Sequence, residues 1–157
     1  MRIRSTFHTL VAAILAVIPI TLPLACRAAA FTPGNLVVYR VGTGAGSLLN
    51  TGNPVFLDEY NSAGTLVQSI ALPTTVSGAN KRLVASGTAT SEGLLTRSAD
   101  GQYLILTGYD ATPPAAASLS GTTGATVNRV IGRVDAAGTV NTSTALADYA
   151  GGNNPRS

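Results

Sequence analysis

Apolar residues fall into two patterns along this chain, and the boundary between them lies near residue 30. Residues 10–25 (LVAAILAVIPITLPLA) form one continuous apolar run, broken only by Thr21. Beyond it, short β-branched runs alternate with Gly, Asn, Asp and Ser at brief intervals. No helix-period apolar face, coiled-coil heptad or second long apolar run follows. Such spacing predicts an all-β chain of antiparallel hairpins.

The first strand is expected over 36–41 (LVVYRV). Segments 54–60 (PVFLDEY) and 65–72 (TLVQSIAL) pair across Asn61-Ser62-Ala63-Gly64. A second hairpin joins 94–98 to 102–109 (QYLILTGY) across Ala99-Asp100-Gly101. A third joins 128–134 (NRVIGRV) to 139–144 across Asp135-Ala136-Ala137-Gly138. In each turn Gly takes the positive φ that a tight reversal requires. Residues 81–86 read as a short added strand, and 145–149 as strand or a single helical turn. Residues 112–124 (TPPAAASLSGTTG) read as an exposed, mobile loop.

The turn glycines Gly64, Gly101 and Gly138 are evenly spaced, 37 residues apart. Ala63-Gly64-Thr65 matches Ala137-Gly138-Thr139, and Ser69 matches Ser143. Propeller blades show periods of about 40–50 residues. Two registers fit: one hairpin per blade, or an inner-strand turn at 98–101 with outer-strand turns at the Ala-Gly-Thr sites. The second is favoured, because Tyr103-Leu104-Ile105-Leu106 is apolar on both faces, as a buried inner strand would be.

The long apolar run changes where the chain is expected to work. Arg2 and Arg4 precede it and Ala28-Ala29-Ala30 follows, so residues 1–30 read as a signal peptide cut before Phe31. At 16 residues, interrupted by Pro19 and Pro23, the run is short of the roughly 20 that a bilayer span needs. An uncleaved anchor and a lipoprotein modified at Cys26 are the alternatives. The product is expected outside the cytoplasm, secreted, extracellular or periplasmic, with no membrane attachment after signal cleavage.

Removing the leader also removes Arg2, Arg4 and Arg27 from ten basic residues, leaving seven against seven acids. With no net charge and no basic stripe, nucleic-acid binding has no electrostatic footprint. The single Cys (Cys26) and the single His (His8) both precede the expected cut. Residues 31–157 therefore cannot form a disulfide, a Cys/His zinc site, a Cys nucleophile or a Ser-His-Asp triad.

The remaining motifs carry weak chemistry. Gly42-Thr43-Gly44-Ala45-Gly46 follows a strand, but Ser47 stands where a dinucleotide fingerprint needs its third Gly, and no helix follows. Asp58 and Glu59 are adjacent, so on a strand they point to opposite faces. Glu92 with Asp100 or Asp110 could form the carboxylate pair that glycoside cleavage needs. Around Asp100-Gly101, Ala99, Gln102 and Tyr103 do not supply the alternating oxygens of a calcium loop. Asn141-Thr142-Ser143 is a formal glycosylation sequon, or the cap of a strand end. Tyr39, Tyr60, Tyr103 and Tyr109 could line a sugar-stacking platform, or pack into the core. No residue is assigned as catalytic, cofactor-binding or metal-ligating, and no cofactor is expected.

The stretch TRSADGQYLILTGYDA resembles the Ser-x-Asp-Gly-x-Tyr-Leu hairpin of many propeller blades. FTPGNLVVYRVG, PVFLDEYNSAGTLVQSIALP and VNRVIGRVDAAGTV together resemble the N-terminal part of large secreted, uncharacterised bacterial β-propeller-like proteins. The resemblance covers residues 31–157 and implies fold and location only. It makes that stretch a partial β-propeller-like segment of about two blades, where a closed ring takes about four to eight. The expectation is the N-terminal portion of a longer domain, its remaining blades supplied by a longer chain; a small β-sandwich is the alternative. Two functions stay open. One is a secreted non-enzymatic binding or surface-structural module for an unknown extracellular ligand or protein. The other is part of a carboxylate-based glycoside hydrolase completed by residues beyond 157.

Overall fold

The structure is a computed structural model that describes residues 28–156. The expected leader up to residue 27, with His8 and Cys26, lies outside the described residues. Eight strands form one antiparallel sheet: β1 (Leu36–Val41), β2 (Asn53–Tyr60), β3 (Leu66–Ala71), β4 (Val84–Ala85), β5 (Thr96–Arg97), β6 (Tyr103–Tyr109), β7 (Arg129–Asp135) and β8 (Val140–Leu146). The pairing path runs β1-β2-β4-β6-β7-β8, with β3 on β2 and β5 on β6. The all-β antiparallel expectation holds.

Two meanders make up most of the sheet. In one, β2 is flanked by β1 and β3; in the other, β7 is flanked by β6 and β8. The two residues of β4 join them, pairing with Asn53 and Pro54 on one side and with Tyr109 on the other. Alternation then builds the core. Val37, Tyr39 and Val41 face inward from β1, Val55 and Leu57 from β2, and Ile70 from β3. Across from them lie Leu106 of β6 and Val130 and Val134 of β7. Because both halves feed one cluster, the sheet folds over and packs its inner faces on each other. Leu83 fills the seam with no exposed surface. Gly132 leaves room for it, since a Cβ there would lie 2.7 Å from a Leu83 methyl.

The three turn glycines have φ of +76° at Gly64, +70° at Gly101 and +75° at Gly138. They play two roles. Gly64 and Gly138 each link the second and third strands of a meander, whereas Gly101 links β5 to β6. Equal spacing in sequence thus joins turns of different kinds, and the true correspondence is between the first and the third. The Gly101 and Gly138 turns share the hairpin end of the β6–β7 pair, where Tyr103 lies opposite Asp135, and the Gly64 turn closes the Tyr60 end of β2.

Several expected boundaries shift. Of 81–86 only Val84–Ala85 pairs, and of 94–98 only Thr96–Arg97, because both segments cross between the two halves and run along an edge only briefly. The last strand continues to Leu146, so Ala145 and Leu146 are strand and 147–149 are bends, with no helical turn. Residues 112–124 are not a free loop. They contain a 3-10 turn (Leu119–Gly121) whose Leu119 is fully buried against Val84 and Tyr109. Backbone bonds from Ala115 N–H to Thr51 and from Leu119 N–H to Asn50 fasten the segment. A composition of small residues signalled flexibility; one leucine and the main chain decide the outcome.

Candidate functional site

At the hairpin end the two halves of the sheet part, and a cleft of about 480 Å³ opens between them. One wall is the N-terminal arm, residues 31–35, with the start of β1. The other is the β5–β6 turn and the end of β7. Phe31, Leu36, Val37, Leu95, Leu104 and Val134 make most of it apolar. Polar groups stand at its rim: Arg97, Gln102, Tyr103 and Asp135.

The arm is held by a buried carboxylate. Glu59 points inward from β2 and is fully shielded from solvent. Its Oε1 accepts from Thr32 N–H and Asn35 Nδ2, both at 2.7 Å, and its Oε2 accepts from Gln68 Nε2 at 2.7 Å. Burial pushes its pKa up. The donors from Gln68, Thr32 and Asn35 overcome this and hold the carboxyl below its usual range. Phe31 N–H donates to Ala136 O at 2.9 Å, which ties the arm to the β7–β8 turn across the cleft.

On the rim, Arg97 Nε donates to Gly101 O at 3.0 Å within its own hairpin. Tyr103 is half-buried, and the Arg133 guanidinium lies 5.2 Å from its ring centroid. Asp135 Oδ1 accepts from Thr139 N–H at 2.8 Å, closing the β7–β8 turn. The rim offers isolated hydrogen-bonding groups around an apolar floor. It does not offer a reactive pair.

The other residues singled out from the sequence scatter. Asp58 and Glu59 do face opposite ways. Asp58 lies on the outer face, paired with Arg40 and accepting from Ser69 Oγ at 2.6 Å. Arg40 holds its carboxyl below the usual range, against the opposing effect of burial. Asp110 pairs with Arg82 at 2.7 Å. Asp100 caps its own turn, accepting from Ser98 Oγ at 2.6 Å and Gln102 N–H at 3.1 Å; these bonds lower its pKa. Glu92 lies at the far end, accepting from Tyr109 OH and Ser86 N–H, each at 2.8 Å. Burial pushes its pKa up, and the Tyr109 bond only partly offsets that. Among the described residues, no group of three or more His, Cys, Asp or Glu could hold a metal ion.

The tyrosines do not form a platform. Tyr103 alone lines the cleft. Tyr60 stands on the outer face, Tyr39 packs in the core, and Tyr109 is fully buried. Gly42 hydrogen-bonds Pro54 and leads into an exposed connection with no helix behind it. Asn141 accepts from Ser143 N–H at 3.1 Å and Oγ at 2.9 Å, so the sequon side chain braces a strand.

Sequence reasoning missed Arg129. It is 1% exposed and has no carboxylate bonded to it. Its Nη atoms donate to the carbonyls of Thr122, Thr123, Val127, Ala150 and Asn153 and to Thr122 Oγ1, and its plane lies 4.8 Å from the Tyr109 ring centroid. Its Nε is buried without a partner. In the pattern NRVIGRV it reads as one more outward residue of an alternating strand; nothing local marks it. The cleft residues Arg97 and Leu95 were equally silent, since only folding opposes them to the N-terminal arm. Comparisons with protein-family models, with curated proteins and with solved structures find no match for this chain.

Proposed function

We propose that this chain is a secreted, non-enzymatic binding module that offers the hairpin-end cleft to an extracellular ligand. The observation that carries the reading is the disposition of the carboxylates. Asp58, Glu59, Glu92, Asp100, Asp110 and Asp135 are each committed to a turn, an ion pair or an internal hydrogen bond. The hairpin-end cleft contains no acid–base pair among its described lining residues. An apolar floor with a few rim donors suits recognition of a ligand with an apolar body and polar edges. The leader-like residues 1–30 support export, and the two similar meanders support a blade-like segment of a larger propeller.

A second reading rests on Glu92. A carboxyl whose pKa is raised by burial, as that of Glu92 is, is what a glycosidase acid needs. No other carboxylate bonds into its cluster, so the partner base would come from outside this chain.

One experiment separates the two. The purified full-length gene product, which would carry the missing base, is titrated calorimetrically with a panel of soluble oligosaccharides and peptides, and reducing-sugar release is followed on the same panel. Saturable binding without turnover, weakened about tenfold by Tyr103→Ala in the cleft, is the expected result. Turnover abolished by Glu92→Gln in a folded protein would replace the first reading with the second.

A further inference from the structure

We infer that β1 is a self-association edge, pairing antiparallel with β1 of a second copy about a twofold axis at Tyr39. Exposed strand edges recruit other strands, and proteins blunt them with bulges, short strands or covering segments. The other edges here are treated in these ways. β5 is only two residues long. β3 meets β2 through a register shift at Glu59/Tyr60. β8 has a shift opposite Ile131/Arg133 and is covered at Thr142, whose carbonyl accepts from Lys81 N–H and whose N–H donates to Asn80 Oδ1. Only β1 runs six residues in unbroken register against β2, with no proline and no strand beyond it among the described residues.

The direction of its backbone groups follows from the pairing. Gly42 N–H donates to Pro54 O, and Gly42 continues the register that places Val41 opposite Val55. The even-numbered residues of β1 therefore bond to β2. The N–H and C=O groups of Val37, Tyr39 and Val41 point outward. A twofold at Tyr39 puts Tyr39 opposite its copy and Val37 opposite Val41 of the second copy. Each is then a hydrogen-bonded pair, and every outward group of the three finds a partner.

Side chains agree with this register. It preserves the faces, so Val38 lies opposite Arg40 of the second copy on the outer surface. Arg40 is already neutralised by its own Asp58 and stacked 4.2 Å from the Phe56 ring centroid, so no like charges meet. Leu36 and Val38, 65% and 39% exposed, would extend a shared apolar strip. Residues 31–157 have no net charge to oppose association. One strand pair is a small interface, and the expected dimer is a micromolar one.

The test is analytical ultracentrifugation of the purified protein from about 1 to 100 µM, with Val38→Lys and Val38→Glu. Both substitutions are at a position 39% exposed and opposite Asp58 of the same chain, so lysine is the milder for folding and a weaker lysine dimer cannot come from a weaker fold. The native protein should dimerise. Lysine should face Arg40 of the second copy and weaken the dimer about tenfold relative to glutamate, from two such cross-strand pairs per dimer. A monomer throughout the range would overturn the proposal, as would a dimer that responds equally to both substitutions.

Discussion

Glu59 and Arg129 are buried charges at opposite ends of the molecule, and neither has a hydrogen-bonded counterion. Glu59 gathers N–H donors from the N-terminal arm and β3. Arg129 gathers carbonyls from residues 122–127 and 150–153. Each stitches irregular chain to the sheet with neutral dipoles in place of an ion pair. The difference lies in completeness. The carboxylate has donors on both oxygens, and they outweigh its burial. The guanidinium leaves Nε–H unpaired, and burial lowers its pKa. A compact anion is satisfied by three donors, while a guanidinium presents five N–H groups in a fixed fork.

The largest expected effect is at the cation. Arg129→Ala strands several carbonyls and leaves a cavity, and should cost about 3–5 kcal/mol in urea unfolding. If it cost no more than a surface substitution, the loop end would be held by Leu119 alone. Glu59→Gln comes next, at about 1–3 kcal/mol, because an amide donor then faces donors.

The same position has a signature in pH. Glu59 is depressed in the folded state, so its contribution is present above the ordinary glutamate range and fades as pH falls through the folded value. Glu92 is raised, so protonating it favours the fold as pH falls from neutral toward its ordinary value. Urea midpoints measured against pH should show the Glu59→Gln deficit shrinking in acid. A deficit that stayed constant would mean that the carboxyl is not titrating differently in the two states.

Gly138→Ala against Gly64→Ala sharpens the hairpin end. Both sites have positive φ, but with residues 1–30 removed a Cβ at Gly138 would still meet Ile70 Cδ1 at 3.2 Å, while Gly64 faces open space. Thermal melts should place Gly138→Ala about 1 kcal/mol below Gly64→Ala. The smallest effect belongs to Arg82→Gln. This partly exposed pair with Asp110 should be worth about 0.5 kcal/mol by double-mutant cycle with Asp110→Asn. A larger coupling would weaken the argument that burial sets Arg129 and Glu59 apart.

Strand identity was legible because alternation and turn glycines are local. β1, β2, β6 and β7 fall within about a residue or two of where runs such as LVVYRV and QYLILTGY place them. β4 and β5 were misjudged because their length depends on which neighbour is within reach, a property of the folded sheet. The opposite orientation of Asp58 and Glu59 followed from a period of two. What each one meets did not, since Ser69, Gln68 and Asn35 arrive from other segments. The cleft was invisible for the same reason: its walls come from residues 31–37, 95–104 and 134–136.

Arg129 grips main-chain carbonyls, which every amino acid supplies. The segment it fastens can therefore change nearly all of its side chains and keep its position, provided Leu119 still plugs the hollow above Tyr109. That end of the molecule is a natural place for grafting foreign sequences: the anchor reads where the backbone goes and is indifferent to what it spells.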